Sequence, residues 1–265
     1  MNTNETIKTI VCAQKLGMLC KMTNKILVAL DFDHTIIDEN SDLFVLNLVP
    51  NKELPQDIKD KYRHDGWVEY MGEIFQFLHR HGITAKSVED CMHQIPLTTG
   101  MMDLLQYVGD SEKYEVIIIS DSNSVFIDFI LTNFNLKQKI TKVFTNPAEF
   151  SNSGCLMVNR YHTQDWCDLS TVNLCKGHIL QQYIQERKDQ GINFSKVMYI
   201  GDGSNDLCPG LTLRSQDYLC PRLGFSLLKK ISKLQKGEEK SLSPQVLPWD
   251  TALDILSLLK NIDAK

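Results

Sequence analysis

Leu27, Val28, Ala29 and Leu30 run directly into Asp31-Phe32-Asp33-His34-Thr35. An apolar run bounded by a polar turn reads as a buried strand of a parallel sheet. Asp31 and Asp33 then stand just past its carboxyl end, the edge at which open α/β sheets bind ligands. Carboxylates this close repel, and each resists ionisation unless a cation joins them. A hard, oxygen-seeking cation such as Mg²⁺ is the natural answer. Taken alone, the same residues also fit a strand ending in an acidic turn before a helix capped by Asp or Thr.

Three later segments bear on that choice. Tyr114 to Ile119 reads as a second buried strand, ending in Ser120-Asp121-Ser122-Asn123-Ser124. Ser120 offers a hydroxyl and backbone N–H groups to a phosphate at the same edge, although Ser122 or Asn123 could equally cap the following helix. Asn173-Leu174-Cys175-Lys176-Gly177-His178 opens a helix running through Arg187. Lys176 in its first turn opposes the helix dipole, a placement more easily explained by negative charge facing it. Lys196 to Ile200 is a strand that runs into Gly201-Asp202-Gly203-Ser204-Asn205-Asp206. Its glycines let the backbone turn sharply beside a ligand, and Asp202 arrives as a third carboxylate.

The elements between these motifs must position them. After Ile37 the acidic turn Asp38-Glu39-Asn40-Ser41-Asp42 precedes a mostly helical block. Asp42 reads as a helix N-cap, or as an acid at the mouth of a site. Pro55 and Asp57 open one segment, Tyr62 to Arg80 reads as one long amphipathic helix, and Ser87 to Gln94 as a shorter one. Val88, Met92, Phe75 and Leu78 are core candidates. Arg63, His64 and Trp67 are candidates to face a ligand or solvent. A helical block between two strands of one sheet suggests a cap over the site, of the kind that excludes water. Met101 to Tyr107 is a further helix. Lys142 to Pro147 reads as a short strand, Leu156 to Asn159 as the return of a hairpin, and Asp217 to Pro221 as an edge strand. Phe225 to Leu234 and Thr251 to Leu259 read as helices, joined by a charged loop. His162, Cys167, Cys175 and His178 fall in a polar stretch, but their spacings match no standard zinc pattern. That stretch is read as a loop insert.

At 265 residues and 43% hydrophobic, the chain can fill one large core or a core with an insert. A net charge of −5 and the lack of a basic cluster argue against a nucleic-acid partner. No apolar run approaches the roughly 20 residues of a membrane span, so no membrane partner is expected. Eight scattered cysteines read as reduced thiols of a cytoplasmic protein. Residues 1–23 carry Lys8, Lys15 and Lys21 against Glu5, and no arginine. They read as an extension, with mitochondrial targeting a minor alternative.

Four motifs in this order resemble the haloacid dehalogenase superfamily of phosphohydrolases: Asp31-Phe32-Asp33-His34-Thr35, Ser120, Lys176, and Gly201 to Asp206. Within it the chain is similar to the PHOSPHO family, which includes phosphoethanolamine/phosphocholine and pyridoxal-phosphate phosphatases. Asp38 to Asp42, Tyr62-Arg63, Ser120 to Asp128, Val143 to Pro147, Asn173 to Lys176 and Val246 to Trp249 carry that likeness, over about residues 25–262. Two positions depart from it. Ser170 stands where the family has a further cysteine, and Asp65-Gly66 where relatives have glycine followed by an aromatic. The resemblance implies an α/β, Rossmann-like parallel sheet flanked by helices, with a small helical C1-type cap. Its core would be 24–42 and 98–265, its cap 43–97, with 1–23 as an N-terminal extension. It further implies Asp31 as nucleophile, Asp33 as general acid and base, and Ser120 and Lys176 as phosphoryl ligands. Mg²⁺ would be held by Asp31, Asp33 and Asp202, with Asp206, Asn205 and Thr35 supporting and Asp42 and Asp121 touching the substrate. The implied substrate is a small phosphorylated metabolite, pyridoxal 5′-phosphate or phosphoethanolamine/phosphocholine. Another metabolite such as phosphoserine, or a non-catalytic phospholigand-binding role, stays open, as does the oligomeric state.

Overall fold

β1 (Thr23–Leu30) is enclosed on both faces because its side chains alternate between two apolar layers. Ile26, Val28 and Leu30 enter one layer, Leu27 and Ala29 the other. β2 (Tyr114–Asn123) repeats this with Val116 and Ile118 against Ile117 and Ile119. Strands buried on both faces read as continuous apolar runs, which is why both stood out in the sequence. The computed structural model describes residues 23–236 and 242–264. The expected extension, but for Thr23, and part of the charged loop before Ser243 lie outside those residues.

β3 (Lys142–Asn146), β6 (Ile192–Gly201), β7 (Tyr218–Pro221) and β8 (Gln245–Val246) complete a six-stranded sheet in the order β3-β2-β1-β6-β7-β8. Every pair in it is parallel. This is the expected Rossmann-like sheet. Leu30 pairs with Ile118 on one side and Ile200 on the other. Asp31, Ser120 and Asp202 therefore leave the sheet at one edge, where strand order reverses beside β1. β4 (Ala148–Phe150) and β5 (Leu156–Val158) form a separate antiparallel hairpin, also as expected.

Helices cover both faces. α1 (Ser41–Phe44), α2 (Gln56–Lys59), α3 (Trp67–Arg80) and α4 (Ala85–Met92) lie between β1 and β2 in the chain. Phe75, Leu78, Val88 and Met92, the core candidates, are all buried there. They share one apolar cluster with the sheet, to which α5 (Met101–Gly109), α6 (Ser124–Asn133) and α10 (Ala252–Asp263) also contribute. On the opposite face lie α7 (Lys176–Asp189), α8 (Leu207–Gly210) and α9 (Ser226–Lys236).

Three expectations change. β7 is not an edge strand, because β8 pairs outside it; a two-residue strand is too short to show a period. The helix expected from Tyr62 begins only at Trp67, after Gly66. Tyr62 patterned with it because its ring packs edge-on against Trp67 and Tyr70 from the preceding turn. Asn40, not Asp42, caps α1: its side chain accepts from the Leu43 N–H at 2.9 Å. Asp42 is buried in the first turn instead. Asn123 does cap α6, accepting from the Phe126 N–H at 3.1 Å.

Candidate active site

The centre of the site is an ammonium between two carboxylates. Lys176, wholly buried in the first turn of α7, reaches the Asp31 Oδ2 at 2.5 Å and the Asp206 Oδ1 at 2.8 Å. A lysine at a helix N-terminus is thus explained by two acids facing it. Burial alone would pull the lysine pKa down, but Asp206 and Asp31 push it up overall, so it stays charged.

Asp206 is fully engaged. Its Oδ1 also accepts from the Tyr199 hydroxyl at 2.8 Å, and its Oδ2 from the Asp202 and Gly203 N–H groups at 3.0 and 2.8 Å. Gly201 permits this: a Cβ there would meet the Asp206 Oδ2 at 2.4 Å. Asp206 therefore shapes the turn and holds Lys176.

Asp202 accepts a long hydrogen bond from the Thr35 hydroxyl at 3.4 Å. Asp31, Asp202 and Asp206 bring carboxylate oxygens within 4.8 Å of one another, all buried. Burial, Asp206 and Asp202 drive the Asp31 pKa well up, with Lys176 opposing. Burial and Asp206 push Asp202 to about 7. Three buried acids against one buried ammonium leave negative charge uncompensated, and a hard divalent cation fits that donor set.

Asp33 stands beside them, partly buried, accepting from the Ser41 N–H at 3.1 Å. Burial, then Asp42, raises its pKa to about 7. That value suits a group that gives up and takes back a proton near neutrality. Ser120 is buried and accepts from the Ser122 N–H at 3.2 Å.

Asp42 and Asp121 line one small cavity with Trp67, Met71, Phe75 and Asn146. Trp67 donates from its indole nitrogen to Asp42 at 2.7 Å. Burial lifts the Asp42 pKa to about 6. Asp121 accepts from Thr171 at 2.9 Å, Asn173 at 3.1 Å and Asn205 at 2.5 Å. Asn205 thus ties Asp121 to the Gly201 turn. Of the other ligand-facing candidates, His64 points to solvent beside Asp65, and Arg63 donates to the carbonyls of Asp60 and Tyr62.

Arg222 was not singled out in the sequence. From the end of β7 it donates to the His34 carbonyl and the Asp38 carboxylate, both at 2.6 Å. It clamps a turn in which His34 adopts φ +54°. Tyr199 was passed over too, because an aromatic inside a buried strand looks like core.

A model of the Put_Phosphatase family, described as "Putative Phosphatase", matches residues 26–262. The chain belongs to this phosphatase family. It is 40% identical over 237 residues to pyridoxal phosphate phosphatase PHOSPHO2 of Homo sapiens, covering 89% of this chain and 98% of that protein. It is 34% identical over 253 residues to the Homo sapiens phosphoethanolamine/phosphocholine phosphatase, covering 95% of this chain and 94% of the relative. A solved phosphoserine phosphatase, captured as a phospho-aspartyl intermediate analogue, superposes with a TM-score of 0.56 at 16% identity, over 89% of this chain and 99% of that one. At that identity it speaks for the fold, which is the haloacid dehalogenase one. The chain is a phosphatase, and its three strand-end motifs and the helix-opening Lys176 converge on one edge of the sheet.

Proposed function

We propose that this phosphatase is an Mg²⁺-dependent phosphomonoester hydrolase working through an aspartyl-phosphate on Asp31. Its substrate on this reading is pyridoxal 5′-phosphate, in line with the relative that is 40% identical and matched over 98% of its length. The observation that carries the chemistry is the buried Asp31–Lys176–Asp206 arrangement, level with Asp33 and Asp202. Asp31 and Asp202 would hold Mg²⁺ together with the backbone carbonyl of Asp33. Bound there, Mg²⁺ would neutralise the crowded carboxylates and the incoming phosphoryl charge.

The residues divide the work. Asp31 attacks phosphorus and expels the alcohol. Asp33, protonated near neutral pH, gives its proton to the leaving oxygen. It then takes a proton from the water that hydrolyses the phospho-enzyme, restoring both acids. Ser120 and Lys176 hold the phosphoryl oxygens. Asp206 and Asn205 fix Lys176 and the Gly201 turn, and Thr35 orients Asp202. Residues 43–97 act as the cap that closes water out. Free thiols among the described residues support a reducing, cytoplasmic setting.

A second substrate reading has its own observation. Asp42, Asp121 and Trp67 line one cavity, and two acids beside an aromatic suit a quaternary or primary ammonium. Phosphocholine or phosphoethanolamine would place its cation there. The test measures phosphate release from pyridoxal phosphate, phosphoethanolamine, phosphocholine and phosphoserine, with Mg²⁺ and with chelator. We expect preference for pyridoxal phosphate, loss of turnover with chelator, and no turnover by Asp31→Asn. Release unchanged by Asp31→Asn would overturn the mechanism, and preference for phosphocholine would favour the second reading.

A further inference from the structure

Three thiols converge behind the catalytic lysine, and only two of them belong to the loop whose sequence raised the question of metal. Cys167 lies in that loop, Cys175 immediately precedes α7, and Cys208 lies in α8. The Cys208 Sγ is 3.4 Å from that of Cys167 and 3.8 Å from that of Cys175. All three sulfurs fall within 4.8 Å of one another. Thiolates bound to Zn²⁺ at about 2.3 Å in a tetrahedron lie about 3.8 Å apart, so the spacing fits one ion.

The surroundings are built for this convergence. Buried Gln164 folds the loop around Cys167: its Oε1 accepts from the Cys167 N–H at 2.9 Å, and its Nε2 donates to the Cys167 and Thr171 carbonyls, both at 3.0 Å. Gly177 leaves room for Cys208, since a Cβ there would meet its sulfur at 2.6 Å. The Ser170 hydroxyl lies 3.6 Å from the Cys167 sulfur and 3.5 Å from that of Cys175. His162 is not a candidate ligand through Nε2, which accepts from the Cys175 N–H at 2.8 Å. His178 is exposed. The four residues first considered, His162, Cys167, Cys175 and His178, thus do not form the cluster.

We propose that Cys167, Cys175 and Cys208 form a binding site for one Zn²⁺ ion, with the Ser170 hydroxyl or a water as fourth ligand. Binding releases the thiol protons to solvent and leaves a site with no redox step. Zinc there has a positional consequence. Cys175 adjoins Lys176, and Cys208 follows Asp206 by two residues. One ion would therefore pin together the two chain segments whose side chains meet in the Lys176–Asp206 pair.

The test uses the full chain, reduced, stripped with chelator and held in excess Mg²⁺ to occupy oxygen ligands. It is titrated with Co²⁺ alone as the probe. The expected result is a thiolate-to-cobalt charge-transfer band that saturates at one equivalent and is abolished by Zn²⁺. Cys167→Ser and Cys208→Ser should each weaken or remove the band. Ser170→Cys, which adds a ligand rather than removing one, should strengthen it and slow zinc release to chelator. No band in the wild-type chain would overturn the proposal, without recourse to any variant. So would a band unchanged in both serine variants, or formation of a disulfide in place of metal uptake.

Discussion

Lys176 shows how much a single buried charge can hold in place. It compensates Asp31 and Asp206, which are themselves buried. Replacing it with methionine strands both carboxylates, at a cost of about 3–5 kcal/mol for breaking a buried pair. Lys176→Met is therefore expected to lower the unfolding midpoint strongly and to abolish turnover; urea unfolding and phosphate release would show both. Tyr199→Phe removes one donor to Asp206 and should cost only about 1 kcal/mol. Asp42 and Trp67 act farther from phosphorus. Asp42→Asn is expected to raise KM with a smaller effect on kcat, since its carboxylate faces the cavity beside Asp121 and not Asp31. A drop in kcat at unchanged KM would reassign Asp42 to the chemical step.

Elements place these residues to within a fraction of an ångström. α7 begins at Lys176, and its second residue packs on Cys208 of α8. Gly177→Ala inserts a methyl group 2.6 Å from the Cys208 sulfur and 3.1 Å from its carbonyl oxygen. The start of α7 must move, carrying the lysine with it. Stability should fall by about 1–3 kcal/mol, as for overpacking elsewhere. A fall in kcat accompanied by weaker binding of inorganic phosphate would identify the displaced lysine as the cause. α3 packs against α6 through Phe75, which meets Phe126 edge-on at 5.7 Å. That contact sets where Trp67, at the start of the same helix, stands over the cavity.

Across the whole molecule, the site opposes the fold that carries it. Asp33 and Asp42 have folded pKa values of about 7 and about 6, against an ordinary 3.8. A raised carboxyl pKa contributes stability while protonated and loses it as pH rises through the folded value. The metal-free protein should therefore lose thermal stability between about pH 4 and about pH 7, from the unfolded value up through the folded ones. Mg²⁺ at neutral pH should restore much of it, because it binds the folded site. Melting curves across pH, with Mg²⁺ and with chelator, check this. A midpoint that rises with pH in the metal-free protein would contradict it.

The chain order of the motifs, the two buried strands and the acids at their ends were all legible in the sequence. Leu27 to Leu30 and Tyr114 to Ile119 announce themselves because burial on both faces demands unbroken apolar runs. Asp31, Asp33 and Asp202 follow from acids placed where such runs stop. Lys176 could be read as anomalous from the helix dipole alone, but the acids it meets are supplied by β1 and by the turn after β6. Contacts between residues far apart in the chain leave no local period. Sequence therefore could not show β8 covering β7, Arg222 holding the His34 turn, or Cys208 joining Cys167 and Cys175. Local chemistry and alternation determined which residues could act. Long-range packing decided which of them meet, because the sheet register alone brings the ends of β1, β2 and β6 to one level.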